Sequence, residues 1–191
     1  WHLNNTGQTN FASNAGNSGV DLNIDAVISS NITGSGVTVA VVDSGLELTH
    51  EDLAANIVAN KSYDYDNSDN NPDPTGDDGD HGTSVAGIIA SVGWNNKGGR
   101  GVAPSANLVG YNLIANTRTY LLYSDALGGN VAEYADTSDV DIFNMSFGRA
   151  LTSAFPSLMN TYYEAGLLNG VTNLRDGKGA SYVNSTGNDW R

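Results

Sequence analysis

The sequence predicts an α/β fold, a doubly wound parallel sheet with helices on both faces, and three observations carry that reading. Several short segments are apolar throughout instead of alternating, which is the pattern of strands buried on both faces. Helix-period segments lie between them, and alternating β and α elements close into a parallel sheet. Chemistry-bearing residues follow directly after three of the apolar runs, which would gather them on the carboxyl edge where such sheets bind ligands. The strands are expected at Val37–Val42, Leu108–Asn112, Ile142–Ser146 and Ala180–Ser185. A helix over Thr83–Val92 would place Val85, Ile88, Ile89 and Val92 on one face. Phe155–Leu168 carries a comparable apolar stripe, and Tyr120–Ala135 is a weaker helix interrupted by Gly128-Gly129. Residues 1–20, rich in Asn, Gly, Ser and Thr, read as an irregular arm, and 21–191 as the sheet-and-helix body.

A chain of 191 residues with 39% hydrophobic content can bury one sizeable core, so one domain or most of one is expected. Its 21 acidic residues against 8 Lys and Arg give a formal charge of −13. That balance argues against nucleic acid or an anionic membrane as partner and suits a basic substrate or bound cations. For most of these carboxylates a solvated acidic surface is the more ordinary reading. There is no cysteine, so thiols do not reveal the redox compartment. No apolar run approaches the length that spans a bilayer. The start at Trp1 suggests processing or a trimmed chain, and the stop at Trp190-Arg191, just after a strand-like run, reads as the end of a fragment that lacks its carboxyl-terminal side.

Two segments carry proton chemistry. The strand-like run VTVAVV ends in Asp43-Ser44-Gly45, and His81-Gly82-Thr83 opens a helical segment. A carboxylate at a strand end and a histidine at a helix start can form a charge-oriented base: the imidazole takes a hydroxyl proton while the acid fixes its tautomer. The loop Ser62–Asp80 has the highest acid density in the chain. Its Asp, Asn and Gly at short spacing could wrap a hard cation with oxygen ligands, or form a solvated acidic loop.

With Asp43-Ser44-Gly45, His81-Gly82-Thr83-x-Val85-Ala86-Gly87 and Ser185-Thr186-Gly187-Asn188 in this order, the chain resembles the subtilisin-like serine proteases. VDLNIDAV, HEDLAAN, SVGWNNKGGRGVAP, NMSFG and STGN point to the kexin/furin-like branch. The resemblance runs over nearly the whole chain and covers roughly the first half to two-thirds of such a catalytic domain. It implies that Asp43 is the triad acid, His81 the base and Asn188 the side-chain donor of the oxyanion hole. Ser146-Phe147-Gly148 would pair with an extended substrate backbone, a β-augmentation mode of recognition. A lone histidine opening a helix is more often structural; the flanking motifs favour the catalytic reading for His81, while His2 and His50 lack such context.

Gly82-Thr83-Ser84-Val85-Ala86 mimics the family's nucleophile segment, but Ser84 shares a helix with His81 and no proline follows. Ser84 is therefore read as structural, and no residue here is assigned as nucleophile. For Ca²⁺, the resemblance implies a first site at Asp21, Asp52, Asn95 and the carbonyls of Val92, Lys97 and Gly99. A second acidic site would use Asp64, Asn71 and Asp73, with Asn71 where a carboxylate is usual. NMSFG continues into Arg149-Ala150-Leu151, where the family usually places acids that attract a basic side chain. The expectation is thus part of a secreted, calcium-dependent serine endopeptidase acting on polypeptides, completed by the remaining carboxyl-terminal part of the domain. A pseudoprotease that only binds peptides, or one chain of a nicked enzyme, are the competing expectations.

Overall fold

The computed structural model describes residues 2–10, 12–74, 79–114, 119–130, 134–148 and 157–188. In chain order the elements are α1 (Asp25–Ser29), β1 (Thr38–Asp43), a 3₁₀ turn (Ala54–Asn56), β2 (Tyr63–Asp64), α2 (His81–Ala90), β3 (Asn107–Asn112), α3 (Tyr120–Ala126), β4 (Ile142–Met145), α4 (Ser157–Gly177) and β5 (Ser181–Asn184). The five strands form one sheet in the order β2-β3-β1-β4-β5, and every pairing is parallel. All carboxyl ends therefore lie on one edge.

The pleat sorts β1 between two cores. Val39 and Val41 pack with Ala86 and Ala90 of α2. Ala40 and Val42 pack on the opposite face with Ala126 and Leu127, against which Tyr163 and Leu167 of α4 also lie. Helices thus cover both faces, the doubly wound arrangement expected from strands that are apolar throughout.

The four expected strands form within a residue at each end. Three elements escaped the sequence reading: β2 spans two residues, the 3₁₀ turn three and α1 five, too short for either period to show. The apolar stripe expected on α2 only borders its packing face: Val85 and Ile89 pack against the edge of the core, and Ile88 does not. Gly82, Ala86 and Ala90 are the buried positions, Val85 and Ile89 are half-buried, and Ile88 is 56% exposed. Small residues win there because the helix approaches the sheet closely, a demand that hydrophobic periodicity does not register.

The weaker helix stops at Ala126, where Gly128 adopts φ +83°, and 131–133 lie outside the described residues. The later helix runs beyond Leu168 to Asn173, after which Leu174 is extended and Arg175 and Asp176 are left-handed. Arg175 ion-pairs with Asp141 at the start of β4, which anchors this turn. Phe155 lies outside the described residues. The described part of residues 1–20 contains no helix or strand, but the arm is organised by buried Asn5. Its side chain donates to the carbonyls of Asn17 and Val20, and its backbone N–H donates to Asp21.

Candidate active site

Asp43 is the last residue of β1, on the same face as Val39 and Val41 and therefore facing α2. It is 0% exposed, so its charge needs a partner. Its Oδ1 accepts from Nδ1 of His81 at 2.7 Å and from the Ser44 backbone N–H at 2.7 Å. The His81 side chain is 52% exposed. With Nδ1–H donated to the acid, the neutral ring keeps its Nε2 lone pair, which is the tautomer a general base requires.

The strand end and the helix start interlock through the small residues of both motifs. Ser44 Oγ donates to the Gly79 carbonyl at 3.1 Å and accepts from the Gly82 N–H at 3.3 Å. The Glu47 N–H donates to Thr83 Oγ1 at 3.0 Å. A Cβ at Gly82 would lie 2.1 Å from the Gly45 carbonyl oxygen and 2.9 Å from Asp43 Cβ. Only glycine lets α2 begin against β1, which brings His81 within reach of Asp43. Ser44, Gly82 and Thr83 belonged to the motifs in the sequence, yet their positioning roles were not legible there. Ser84 lies exposed one turn into α2.

The other expected residues follow β4 and β5. Ser146 Oγ accepts from Asn144 Nδ2 at 3.0 Å, and the Phe147 carbonyl accepts from Ser185 Oγ at 3.2 Å. Gly148 and Asn188 are exposed. Since β1, β4 and β5 are neighbours in order, the Asn188 loop leaves the sheet two strand spacings from Asp43, roughly 10 Å. Arg149, Ala150 and Leu151 lie outside the described residues.

Among the expected calcium ligands, Asp52 is 3% exposed and no Lys, Arg or His pairs with it among the described residues. Its Oδ1 accepts from Asn95 Nδ2 at 2.6 Å. A Cβ at Gly98 would lie 2.5 Å from its Oδ2, so the loop folds tightly over the carboxylate. Lys97 sends its ammonium to Glu51, at 3.3 Å, and its N–H to Asn95 Oδ1. Val92 donates its N–H to the Asp52 carbonyl.

Asp21 accepts the backbone N–H groups of Asn5 and Asn23, and these hold its carboxyl below the usual carboxylate range. Leu22, beside Asp21, donates to the His2 carbonyl, and the His2 side chain hydrogen-bonds the Arg100 backbone. The arm therefore reaches the loop after α2. Asp52 is buried without a counter-cation among the described residues, but Asn95 presents its amide nitrogen to it while Asn95 Oδ1 accepts from the Lys97 N–H, so a hard cation there requires the Asn95 amide turned with its oxygen toward Asp52.

The second set is dispersed over separate duties. Asp64, 0% exposed, accepts from the Asp66 and Asn67 N–H groups and from Asn67 Nδ2. Asp73 accepts from Leu48 N–H, and exposed Asn71 donates to Asp69. Among the described residues, no three His, Cys, Asp or Glu side chains form a metal-holding group. A cation at the first site would consequently rely on Asn95 and carbonyl oxygens too.

The profile of the Subtilase family matches residues 34–190, a span that includes Asp43, His81 and Asn188. The chain belongs to the subtilase family. It is 37% identical over 198 residues to the Aeromonas extracellular serine protease of Aeromonas sobria, covering 98% of this chain and 29% of that protein. To kexin of Saccharomyces cerevisiae it is 35% identical over 170 residues, covering 89% of this chain and 20% of kexin. The crystal structure of the Aeromonas sobria serine protease with its chaperone superimposes with a TM-score of 0.80 at 34% identity, over 96% of this chain and 30% of that one. The chain thus spans less than a third of these relatives, and the parallel sheet with helices on both faces is the subtilase arrangement.

Proposed function

We propose that this chain is the amino-terminal part of the catalytic domain of a secreted, calcium-dependent serine endopeptidase acting on polypeptides. The observation that carries the reading is the 2.7 Å contact between His81 Nδ1 and the buried carboxylate of Asp43. In this reading a serine hydroxyl, supplied by a segment that follows Arg191, gives its proton to Nε2 of His81 as it attacks the scissile carbonyl. Asp43 keeps the ring in the receptive tautomer and stabilises the imidazolium, without itself taking the proton. Asn188 donates its side-chain N–H to the oxyanion. The backbone of Ser146-Phe147-Gly148 pairs with the extended substrate. His81 then returns the proton to the leaving amine.

Asp21, Asp52, Asn95 and the carbonyls of Val92, Lys97 and Gly99 would hold Ca²⁺, which supplies charge neutralisation for Asp52 and ties the arm to the loop after α2. Secretion accords with the extracellular relative, and no helix among the described residues is long and apolar enough to cross a membrane.

Labelling with a sulfonyl fluoride or a phosphonate tests the reading. The 191-residue chain alone should give no adduct. Together with the segment that follows Arg191 it should be labelled on a serine of that segment, and His81→Ala should abolish the label. An adduct on any serine of residues 1–191 overturns it, and peptide binding without labelling in the assembled protein identifies a pseudoprotease instead.

A further inference from the structure

Asn112 is the last residue of β3 and stands in register between Asp43 of β1 and Asp64 of β2. On β3, Leu108 packs toward α2, and a Cβ at Gly110 would meet Leu46 of the same core. The period of two therefore turns the Asn112 side chain to that face, where Asp43 also points. All three residues are 0% exposed. Two buried carboxylates thus flank one carboxamide, each about 4.8 Å away along the sheet.

Asp64 is satisfied by its own turn. Asp43 is not: Oδ1 holds His81 and Ser44, while Oδ2 is buried with no partner among the described residues, and the same is true of both Nδ2 and Oδ1 of Asn112. Orphaned buried polar atoms are rare and costly, and three on adjacent in-register residues form one unfinished network.

We propose that Asn112 is a positioning residue for the acid, its amide N–H holding Asp43 Oδ2 through one internal water molecule. A water there gains three protein partners, the usual complement of a buried one. The physical need comes from the carboxylate's terminal torsion, which is broad unless both oxygens are held. With Oδ2 fixed, Oδ1 stays aimed at His81 Nδ1. The backbone strengthens the link: the N–H groups of Leu113 and Ile114, just past β3, both donate to the Asp43 carbonyl.

This inference rests on the proposed roles of Asp43 and His81, so its test separates the two, using the assembled catalytic domain. Asn112→Val and Asn112→Ala both remove the amide, one filling the space and the other vacating it. Both should lower kcat on the order of tenfold, the scale seen for partners one step out from a working group, with KM within about twofold. Both should also shift the deshielded proton resonance of the Asp43–His81 hydrogen bond, and Asn112→Ser should restore much of each signal. In the parent, the Asn112 side-chain amide protons should show a cross-peak to bound water. Parent-like kcat and resonance in either variant, or no water cross-peak, overturns the Asn112 role. Asp43→Asn is the separate control: full activity there sinks the acid–base assignment itself.

Discussion

Two stretches of the same sheet edge differ sharply. Where β2, β3 and β1 end, Asp64, Asn112 and Asp43 are each 0% exposed. Where β4 and β5 end, the chain runs into exposed Gly148 and into Ser185–Asn188, exposed throughout. The first stretch is sealed by α2, by hydrogen bonds from the Ser44 and Gly82 N–H groups, and by the one that Thr83 Oγ1 accepts from Glu47. On the same face of the second, Val183 of β5 is 55% exposed, as is much of Ile88 on α2. The half proposed for acid–base work is held by contacts among Asp43, Ser44, His81 and Gly82 of this chain. The half proposed to bind substrate and oxyanion presents its groups to solvent, so its order depends on whatever packs against it.

The largest expected effect strikes the sealed half. In the assembled domain, Asp43→Asn should leave the fold intact and lower kcat by about 10⁴-fold, because the amide turns the imidazole to the wrong tautomer. Parent-like turnover would remove the distinction between the two halves. Calcium should act next, at the arm and the loop after α2. Excess chelator should lower the melting temperature, since a ligand at 100 times its Kd stabilises the native state by about 2.7 kcal/mol. An unchanged melting curve with no retained Ca²⁺ would leave Asp52 without the cation proposed for it.

A pair of glycine substitutions measures the contrast directly. Gly82→Ala forces a methyl onto the Gly45 carbonyl and Asp43, whereas a Cβ at Gly148 meets nothing within 4 Å. Gly82→Ala should therefore cost about 1–3 kcal/mol by thermal melting and displace His81, and Gly148→Ala should be near neutral. Equal effects would show that the second half is as tightly held as the first.

The smallest effect lies at the opposite edge of the sheet. The Ser138 hydroxyl and the Lys61 ammonium hold the Asp136 carboxyl below its ordinary value of 3.8. Its folded pKa is depressed, so its contribution is complete above the unfolded value and disappears as pH falls through the folded one. Asp136→Asn should flatten the acid limb of the stability curve below about pH 4 slightly. An identical acid limb would assign that region no titrating contribution.

Four strands, the helix that carries His81, the covering of both sheet faces and the pairing of an acid at a strand end with a histidine at a helix start were legible in the sequence. Each rests on local information: apolar runs, helical period and short motifs whose residues touch near neighbours. The centre of the face by which α2 packs was missed, because periodicity weighs large apolar side chains such as Val85 and Ile89 while close approach selects Gly82, Ala86 and Ala90. β2 is too short to carry a pattern, and Asn112 stood in the sequence only as the last residue of an expected strand. Asn112 gains its meaning only from strand register, which places it between two buried carboxylates drawn from segments far apart in the chain. Residue types and their spacing could single out Asp43 and His81 as a pair. Only the tertiary structure could decide their separation, what seals them, and which half of the edge stays open, because those depend on contacts between strands whose order in space differs from their order in sequence.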